Sequence, residues 1–310
     1  MSAMCSGAAL DATTSHITVC ICTYKRPHLL RHLLDELASQ DTGGQFTYSI
    51  VIVDNDQLRS AEAIALDFAV RCPIPINYCV ESRQNISLAR NKAVESATGD
   101  FIAFIDDDEY PTRSWLWTLF KTLKERNVDG VLGPVKPDFE QGAPKWVVKG
   151  KFYDRPTYPT GLVIDRQKGR TGNVLLRRRI FAADELPFRP EFRTGEDQDF
   201  FGRMIQKGHV FIWCDEAVAY EVVPAIRWKR GFMLRRALLQ GSSSFLNPHH
   251  RGFYTVKSII CVPVYTATLP FALLLGHHRF MTLLVKLFDH LGKLLAVMGI
   301  NAVKEEYVTE

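Results

Sequence analysis

Seven cysteines, at positions 5, 20, 22, 72, 79, 214 and 261, contain no CxxC pair and follow no framework spacing. An odd set without such spacing argues against a disulfide scaffold and predicts a reducing compartment. The glycine fingerprint GxGxxG is missing after the first predicted strand, and no Walker A sequence occurs. A dinucleotide-dependent dehydrogenase and a P-loop nucleotidase are therefore disfavoured. Dense Lys/Arg runs with interleaved aromatics are also missing, and a net charge of +4 is too mild to argue for nucleic acid. The opening MSAMCSGAALDATTSHI has neither a basic n-region nor a long apolar h-region. No signal peptide is expected, and the soluble part should stay in the cytoplasm.

What is present suits a folded chain. Hydrophobic residues make up 46% and charged residues 23% of 310 positions, enough for a sizeable core in one large domain or two small ones. His16–Thr23 is a β-branched, nearly continuous apolar run, as expected of a strand covered on both faces. Pro27 suits a first helical turn, and Leu29, Leu30, Leu33, Leu34 and Leu37 recur at helical spacing. Further strands are predicted at Tyr48–Val53, Ile76–Val80, Phe101–Ile105 and Gly130–Val135. Helices are predicted over Ser60–Arg71, Ile86–Ser96 and Thr112–Arg126. This alternation predicts an α/β fold with a mostly parallel, Rossmann-like sheet flanked by helices, whose ligands bind beyond the carboxyl ends of the strands. Cys20 and Cys22 face the same way along the first strand and read as two buried thiols.

Three predicted strand ends carry Thr23-Tyr24-Lys25-Arg26, Asp54-Asn55-Asp56 and Asp106-Asp107-Asp108. The last follows FIAFI directly. Three adjacent carboxylates repel one another unless something cationic sits against them, and a hard divalent metal sharing a substrate phosphate is one such partner. A solvated acidic turn, or a cap for the helix near Thr112, is the alternative. From Lys136 to Arg170 periodicity fades among prolines and aromatics, which reads either as a site-lining excursion or as a pinned surface loop. Gly172–Arg177 regains strand character, and Arg193–Phe200 (RTGEDQDF) opens a helix toward Lys207. Carboxylates in a first turn favour the macrodipole, yet Glu196, Asp197 and Asp199 are dense enough for one to serve as a general base. Short strands follow at Val210–Trp213 and Ala217–Val222.

Taken in order, the strand ending in Thr23–Pro27, the Val53-Asp54-Asn55 triplet, Asn85 with Leu88-Ala89-Arg90-Asn91, the DDD and the GEDQDF of Gly195–Phe200 resemble the family 2 glycosyltransferases. These are inverting enzymes with the GT-A fold, and the resemblance covers roughly His16 to Gln240, with a bacterial exopolysaccharide, succinoglycan-type character. It implies a nucleotide-binding set of Thr23, Tyr24, Arg26, Asp54, Arg90, Asp106 and Asp107, with Asp54 at the uracil. It implies Mn2+ or Mg2+ on Asp108, with Asp106–Asp108 able to share these roles differently. It also implies Asp197 as catalytic base, Glu196 and Asp199 supporting, with Asp199 the competing base. Many relatives place a further metal-ligating His where this chain reads Tyr220-Glu221-Val222-Val223-Pro224. The implied partners are a nucleotide-sugar donor and a saccharide or polyprenyl-diphosphate-linked acceptor, with no nucleic acid. The implied reaction is metal-dependent inverting transfer from a UDP-sugar. A catalytically silent membrane-bound scaffold and a sugar nucleotidyltransferase are the competing readings. The first would have no need of acids at both stations, and the second would want a Gly-rich basic loop that CTYKRP does not supply.

The C-terminal part points to a membrane. Arg227, Lys229, Arg230, Arg235 and Arg236 are interleaved with apolar residues, which suits a solvated helix or one against anionic headgroups. Ser258–Gly276 then runs nineteen residues without a charge, near the length that crosses a bilayer, although Pro263 and Pro270 interrupt it. Phe280–Ile300 carries Lys286, Asp289, His290 and Lys293 and reads as an interfacial helix. The expected organisation is a flexible N-terminus over 1–15, a GT-A domain over 16–240 (a nucleotide-binding half 16–135 and an acceptor half 136–240), and membrane-associating helices over 241–310. That places the enzyme on the cytoplasmic face of the inner membrane, by a hairpin or an in-plane anchor.

Overall fold

The computed structural model describes residues 14–183, 186–192, 195–244 and 251–300. Most of the expected flexible N-terminus, residues 301–310 and Arg193-Thr194 lie outside these. Ser15 already opens the first strand.

The first half alternates strands and helices as far as β4 and then adds one short strand: β1 (Ser15–Thr23), α1 (Pro27–Leu37), β2 (Phe46–Asp54), α2 (Glu62–Arg71), β3 (Ile76–Val80), α3 (Ile86–Ser96), β4 (Phe101–Phe104), a short β5 (Glu109–Pro111), α4 (Trp115–Arg126) and β6 (Gly130–Leu132). After β7 (Val135–Phe139) and α5 (Lys145–Gly150) come β8 (Val174–Arg177), α6 (Glu196–Gln206), β9 (Phe211–Trp213) and β10 (Ala219–Val223). Among the described residues three long helices follow: α7 (Arg230–Ser244), α8 (Arg251–Leu274) and α9 (His277–Val297). The predicted strand Gly130–Val135 is in fact two strands broken at Gly133-Pro134. A side chain at Gly133 would run into the Ala217 carbonyl at 2.2 Å. Proline has no N–H to continue a ladder.

Two compact units emerge, Met1–Pro134 with Thr157–Ala219, and Val135–Pro156 with Tyr220–Glu310. The second is discontinuous in sequence, so the stretch 135–156 belongs with the C-terminal helices, where the sequence reading set boundaries at 135 and 240. In the first unit a seven-stranded sheet has the order β3-β2-β1-β4-β8-β6-β9. Strands β1, β2, β3 and β4 run parallel, and β8 is antiparallel to both β4 and β6. Val51, Val53, Ile102, Phe104, Val174 and Leu176 face helical residues such as Ala89, Phe200 and Phe201 in one apolar core. Cys20 is fully buried there, and Cys22 is half-buried against the same cluster. Burial on this scale supplies the main driving force for folding.

The second unit has its own small core of Val147, Tyr153 and Val223, with Phe139, Trp146, Phe152 and Trp228 around it. Helix α9 packs on both α7 and α8. The α7–α9 approach is backbone to backbone, since a side chain at Gly292 would meet the Leu238 carbonyl at 2.3 Å and one at Gly241 the Asp289 carbonyl at 2.0 Å.

Candidate active site

Register in the parallel sheet fixes where the polar residues meet. Thr23 pairs with Asp54 at the ends of β1 and β2, and Cys20 pairs with Phe104, so Asp106 follows just beyond the same edge. The chain turns sharply there, with Glu109 N–H donating to the Asp106 carbonyl at 3.0 Å. That turn gives the three aspartates different surroundings.

Asp107 points back at the strand end. It accepts from the Thr23 hydroxyl at 2.8 Å and from Arg26 Nη1 at 2.8 Å, and Asp108 Oδ2 lies 3.3 Å from the same Nη1. Burial, with the neighbouring Asp108 charge, pushes the Asp107 carboxyl up to about 7 against the pull of Arg26 and the Thr23 hydroxyl. Two 2.8 Å donors, one of them cationic, describe the geometry of an ionised carboxylate. Tyr24 is half-buried beside them, with the Lys25 ammonium 5.2 Å from its ring centre.

Asp106 is the open carboxylate, with 42% of its side chain exposed. Across from it stands Arg90, buried on α3. One guanidinium nitrogen bonds Glu196 Oε1 at the start of α6, and another lies 3.6 Å from Asp106 Oδ1. Burial works against the Arg90 charge, but Glu196 and then Asp106 outweigh it and raise its pKa. The Phe188 ring lies 5.8 Å from the guanidinium carbon. Arg90 thus ties the DDD turn to the GEDQD helix, two motifs far apart in sequence.

Asp197 follows Glu196, with Oδ1 accepting the Gln198 N–H at 2.7 Å. Burial raises its carboxyl pKa first, and repulsion from Glu196 adds to that against the pull of Arg90. A raised carboxyl is a stronger base when ionised, which is what proton abstraction from a hydroxyl needs. Asp199 faces elsewhere: it is paired with Arg203 at 2.8 Å and lies 3.7 Å from Arg189. Of the two competing acids, Asp197 feels the Arg90–Asp106 charges, and Asp199 serves its own helix.

Asp54 is fully buried, and its carboxylate is taken up by the chain itself. It accepts from Asp56 N–H at 3.0 Å, Ala61 N–H at 2.7 Å and the Tyr78 hydroxyl at 2.9 Å. Burial is again the main cause of its raised pKa. Its visible work is to hold the loop after β2. Next to it, Asn55 donates to the Glu81 and Arg83 carbonyls at 2.7 and 2.8 Å and accepts from Asn85 N–H at 2.9 Å. Asn85 in turn caps α3 through Ser87 and Leu88 N–H, setting the helix that carries Arg90.

Glu109 and Gly172 add what the motif reading did not single out. A side chain at Gly172 would collide with Glu109 Oε1 at 2.9 Å, Asp106 Oδ2 at 3.0 Å and Glu109 Oε2 at 3.2 Å. Only glycine leaves those carboxylate oxygens converging on one small space. The next residue, Asn173, has φ 56° and is fully buried. It accepts from the Trp115 indole at 2.7 Å and donates to the Pro134 and Ala217 carbonyls at 2.8 and 2.7 Å. A buried Asn in left-handed backbone just before a strand is the one signal that could have marked this corner. The donor set fits a hard divalent cation, being all carboxylate, partly open and lined by a missing side chain. Among the described residues, no three His, Cys, Asp or Glu side chains form a metal cage by themselves. Diphosphate and water would complete the shell, the usual arrangement for magnesium.

Residues 18–182, more than half of the chain, match the profile of Glycosyl transferase family 2. This protein belongs to that family. Succinoglycan biosynthesis protein ExoM of Rhizobium meliloti (strain 1021) is 34% identical over 232 residues, covering 74% of this chain and 74% of ExoM. Among solved structures, S. aureus TarS 1–349 in complex with UDP superposes with a TM-score of 0.54 at 16% identity, covering 94% of each chain. The mannosyltransferase PcManGT from Pyrobaculum calidifontis, in complex with GDP-Man and Mn2+, gives a TM-score of 0.56 at 16% identity, covering 95% of this chain and 77% of that one. At such identities the likeness shows the fold, and the fold is GT-A. In this family 2 glycosyltransferase the expected mostly parallel sheet and C-terminal apolar helix are both present.

Proposed function

We propose that this glycosyltransferase moves a sugar from a UDP-sugar to a saccharide carried on a polyprenyl diphosphate, with inversion at the anomeric carbon, in synthesis of a bacterial polysaccharide. The observation that supports this reading is the Arg90 bridge, which joins the exposed Asp106 to Glu196, the residue before the base candidate Asp197. Asp197, ionised, takes the proton of the acceptor hydroxyl as it attacks. Asp107 and Asp108 hold Arg26 at the end of β1, where its charge faces the diphosphate leaving group. Glu196 cancels much of the Arg90 charge, which keeps Asp197 basic. Asp106 and Glu109, with Asp108 as the expected metal ligand, would hold Mn2+ or Mg2+. A bound cation supplies Lewis-acid neutralisation of the charge that develops on the departing diphosphate.

Membrane association on the cytoplasmic face is part of the same reading. Among the described residues one helix, Gly252–Leu274, is long and apolar enough to cross a bilayer, and most of it is exposed. A lipid-linked acceptor would be met at that surface.

The test is a panel of UDP-sugars assayed for transfer and slow hydrolysis, with Mn2+, Mg2+ or EDTA. Metal-stimulated release of UDP from one sugar is expected. Equal release by wild type and Asp197→Asn, in the presence of acceptor, would defeat the base assignment.

A further inference from the structure

Helix α8 carries no charge after Lys257, yet both of its ends come back to the folded body of the second unit. At the α8–α9 turn, the His277 ring packs edge-on against Trp146 of α5, with centroids 4.9 Å apart. Trp146 sits on the Val147–Tyr153–Val223 core. Near the other end, Ser258 of α8 shares a 2.8 Å hydrogen bond with His290 of α9, and the Lys293 ammonium lies 5.6 Å from the Tyr254 ring centre. That half of α9 is the half locked to α7 at Gly241 and Gly292. With 24 residues, α8 is about 36 Å long. A helix crossing a bilayer carries one end to the far side of about 30 Å of hydrocarbon. Here a single layer, α9, runs beside α8 and is itself fixed to the body near both of its ends.

The outward face is apolar except for the exposed Lys257, whose long side chain can reach up to the headgroups. Phe253, Ile260, Val264 and Phe271, spaced by seven, four and seven, share one side of the helix and are 69%, 60%, 51% and 69% exposed. The flank turned toward α9 is covered at Ser258, 0% exposed, and Ala272, 4% exposed. Exposed hydroxyls on α8 are satisfied without water: Thr266 donates to the Val262 carbonyl at 2.8 Å and Thr268 to the Val264 carbonyl at 2.9 Å. Charge along this stretch of sequence is one-sided. From Val222 to Phe288 there is no Asp or Glu, while nine Lys and Arg occur, from Arg227 to Lys286.

We propose that α8 is an in-plane anchor, lying flat in one leaflet of an anionic bilayer with the Phe253–Ile260–Val264–Phe271 stripe inward, and does not cross it. This rests on the reading of the protein as membrane-associated and decides between a spanning and a flat arrangement. The apolar stripe supplies penetration of a few ångströms below the headgroups, and the nine Lys and Arg from Arg227 to Lys286 supply attraction to anionic lipid, the nearby Asp289 being paired with Lys293.

The experiment uses the full chain with its cysteines replaced, checked for retained transfer to a soluble acceptor. Single cysteines at 253, 260, 264 and 271 carry a fluorophore and are bound to vesicles of phosphatidylcholine with about one-third phosphatidylglycerol, a composition set by the anionic attraction argued above. Quenching lipids with nitroxides at graded depths then report depth. Equal, shallow depth at all four sites is the expected result. A profile deepest at 260 and 264 and shallow at 253 and 271 overturns the flat arrangement while keeping the membrane. No binding to any vesicle overturns the membrane reading itself. Retained binding to pure phosphatidylcholine at the same strength overturns the anionic preference. Ile260→Glu with Val264→Glu, both at exposed sites, is expected to keep the circular dichroism and soluble-acceptor turnover of wild type and to weaken vesicle partition about 10-fold or more. Undiminished partition overturns the stripe.

Discussion

One arginine between two carboxylates and one carboxylate between two arginines stand in the two units. In the first unit Arg90 serves Glu196 and Asp106. In the second, Glu221 serves Arg227 and Arg155, each at 2.6 Å, and both Glu221 and Arg227 are buried. The surplus sign differs. The first cluster keeps negative charge beside Asp197, which suits holding a cation and taking a proton. The second sets two arginines on one carboxylate, with Asp138, Glu140 and Asp154 in the same unit and Glu140 Oε2 accepting the Ala225 N–H at 3.1 Å. Buried ion clusters are poor sources of net stability, because desolvation offsets most of the attraction. Their value lies in the field they leave behind.

The largest expected effect breaks the first unit's chemistry and leaves its structure alone. Asp197→Asn should lower kcat about 1000-fold, as loss of a general base does, with UDP affinity by calorimetry unchanged. Its melting temperature offers a control with a definite sign. A carboxyl raised on folding stabilises the fold below its unfolded pKa and loses that contribution as pH rises through the folded value. At pH 7 the amide should therefore melt no lower than wild type. Asp108→Ala is the companion variant: metal-dependent UDP binding should disappear, while a variant that still binds UDP only when Mn2+ is present would move the ligand role to Asp106 and Glu109.

Next in size is the second cluster. Glu221→Gln leaves two guanidinium groups facing an amide, and removing one member of a buried ion pair costs about 3–5 kcal/mol. Urea denaturation should report a loss of that order, with UDP affinity in the folded protein unaltered. The matching change in the first cluster, Glu196→Gln, should cost less, about 1–3 kcal/mol, because Arg90 keeps Asp106. Its distinctive readout is the pH profile. Wild-type kcat/KM falls at low pH as Asp197 protonates, at a pH above that of an ordinary aspartate because its carboxyl is raised. Removing Glu196 takes away repulsion and leaves Arg90 free to stabilise the anion, so this acid limb should move to lower pH. A limb that stays in place would separate the two acids and dissolve the contrast between the clusters.

Much of the first unit could be read from residue order, and little of the second. Ile76–Val80 and Ile86–Ser96 fall where the periodicity put them, because apolar spacing decides which face is covered. The strand-end aspartates were legible as a type and a place. Which partner each takes was not, since Arg90 and Glu196 are brought together by tertiary packing. Helix α5 escaped notice because six residues between prolines are too few to show a period. Glu221 stood out in the sequence only as the place where a histidine was expected. That it clamps two arginines follows from the discontinuous unit joining 135–156 to the chain after 220.

The smallest effect carries the sharpest test of that reading. Asp197 and Asp199 are two residues apart in a first helical turn, and composition alone cannot rank them. Geometry does, because Asp199 is bound to Arg203 one turn along α6 and lies near Arg189, away from the Arg90 charges. Within-helix pairs of this spacing are worth less than about 1 kcal/mol. Asp199→Asn should therefore shift the urea midpoint slightly and leave kcat within about twofold of wild type. A large loss of turnover with UDP binding intact would exchange the roles of the two aspartates, and with them the claim that the Arg90 cluster sets the base.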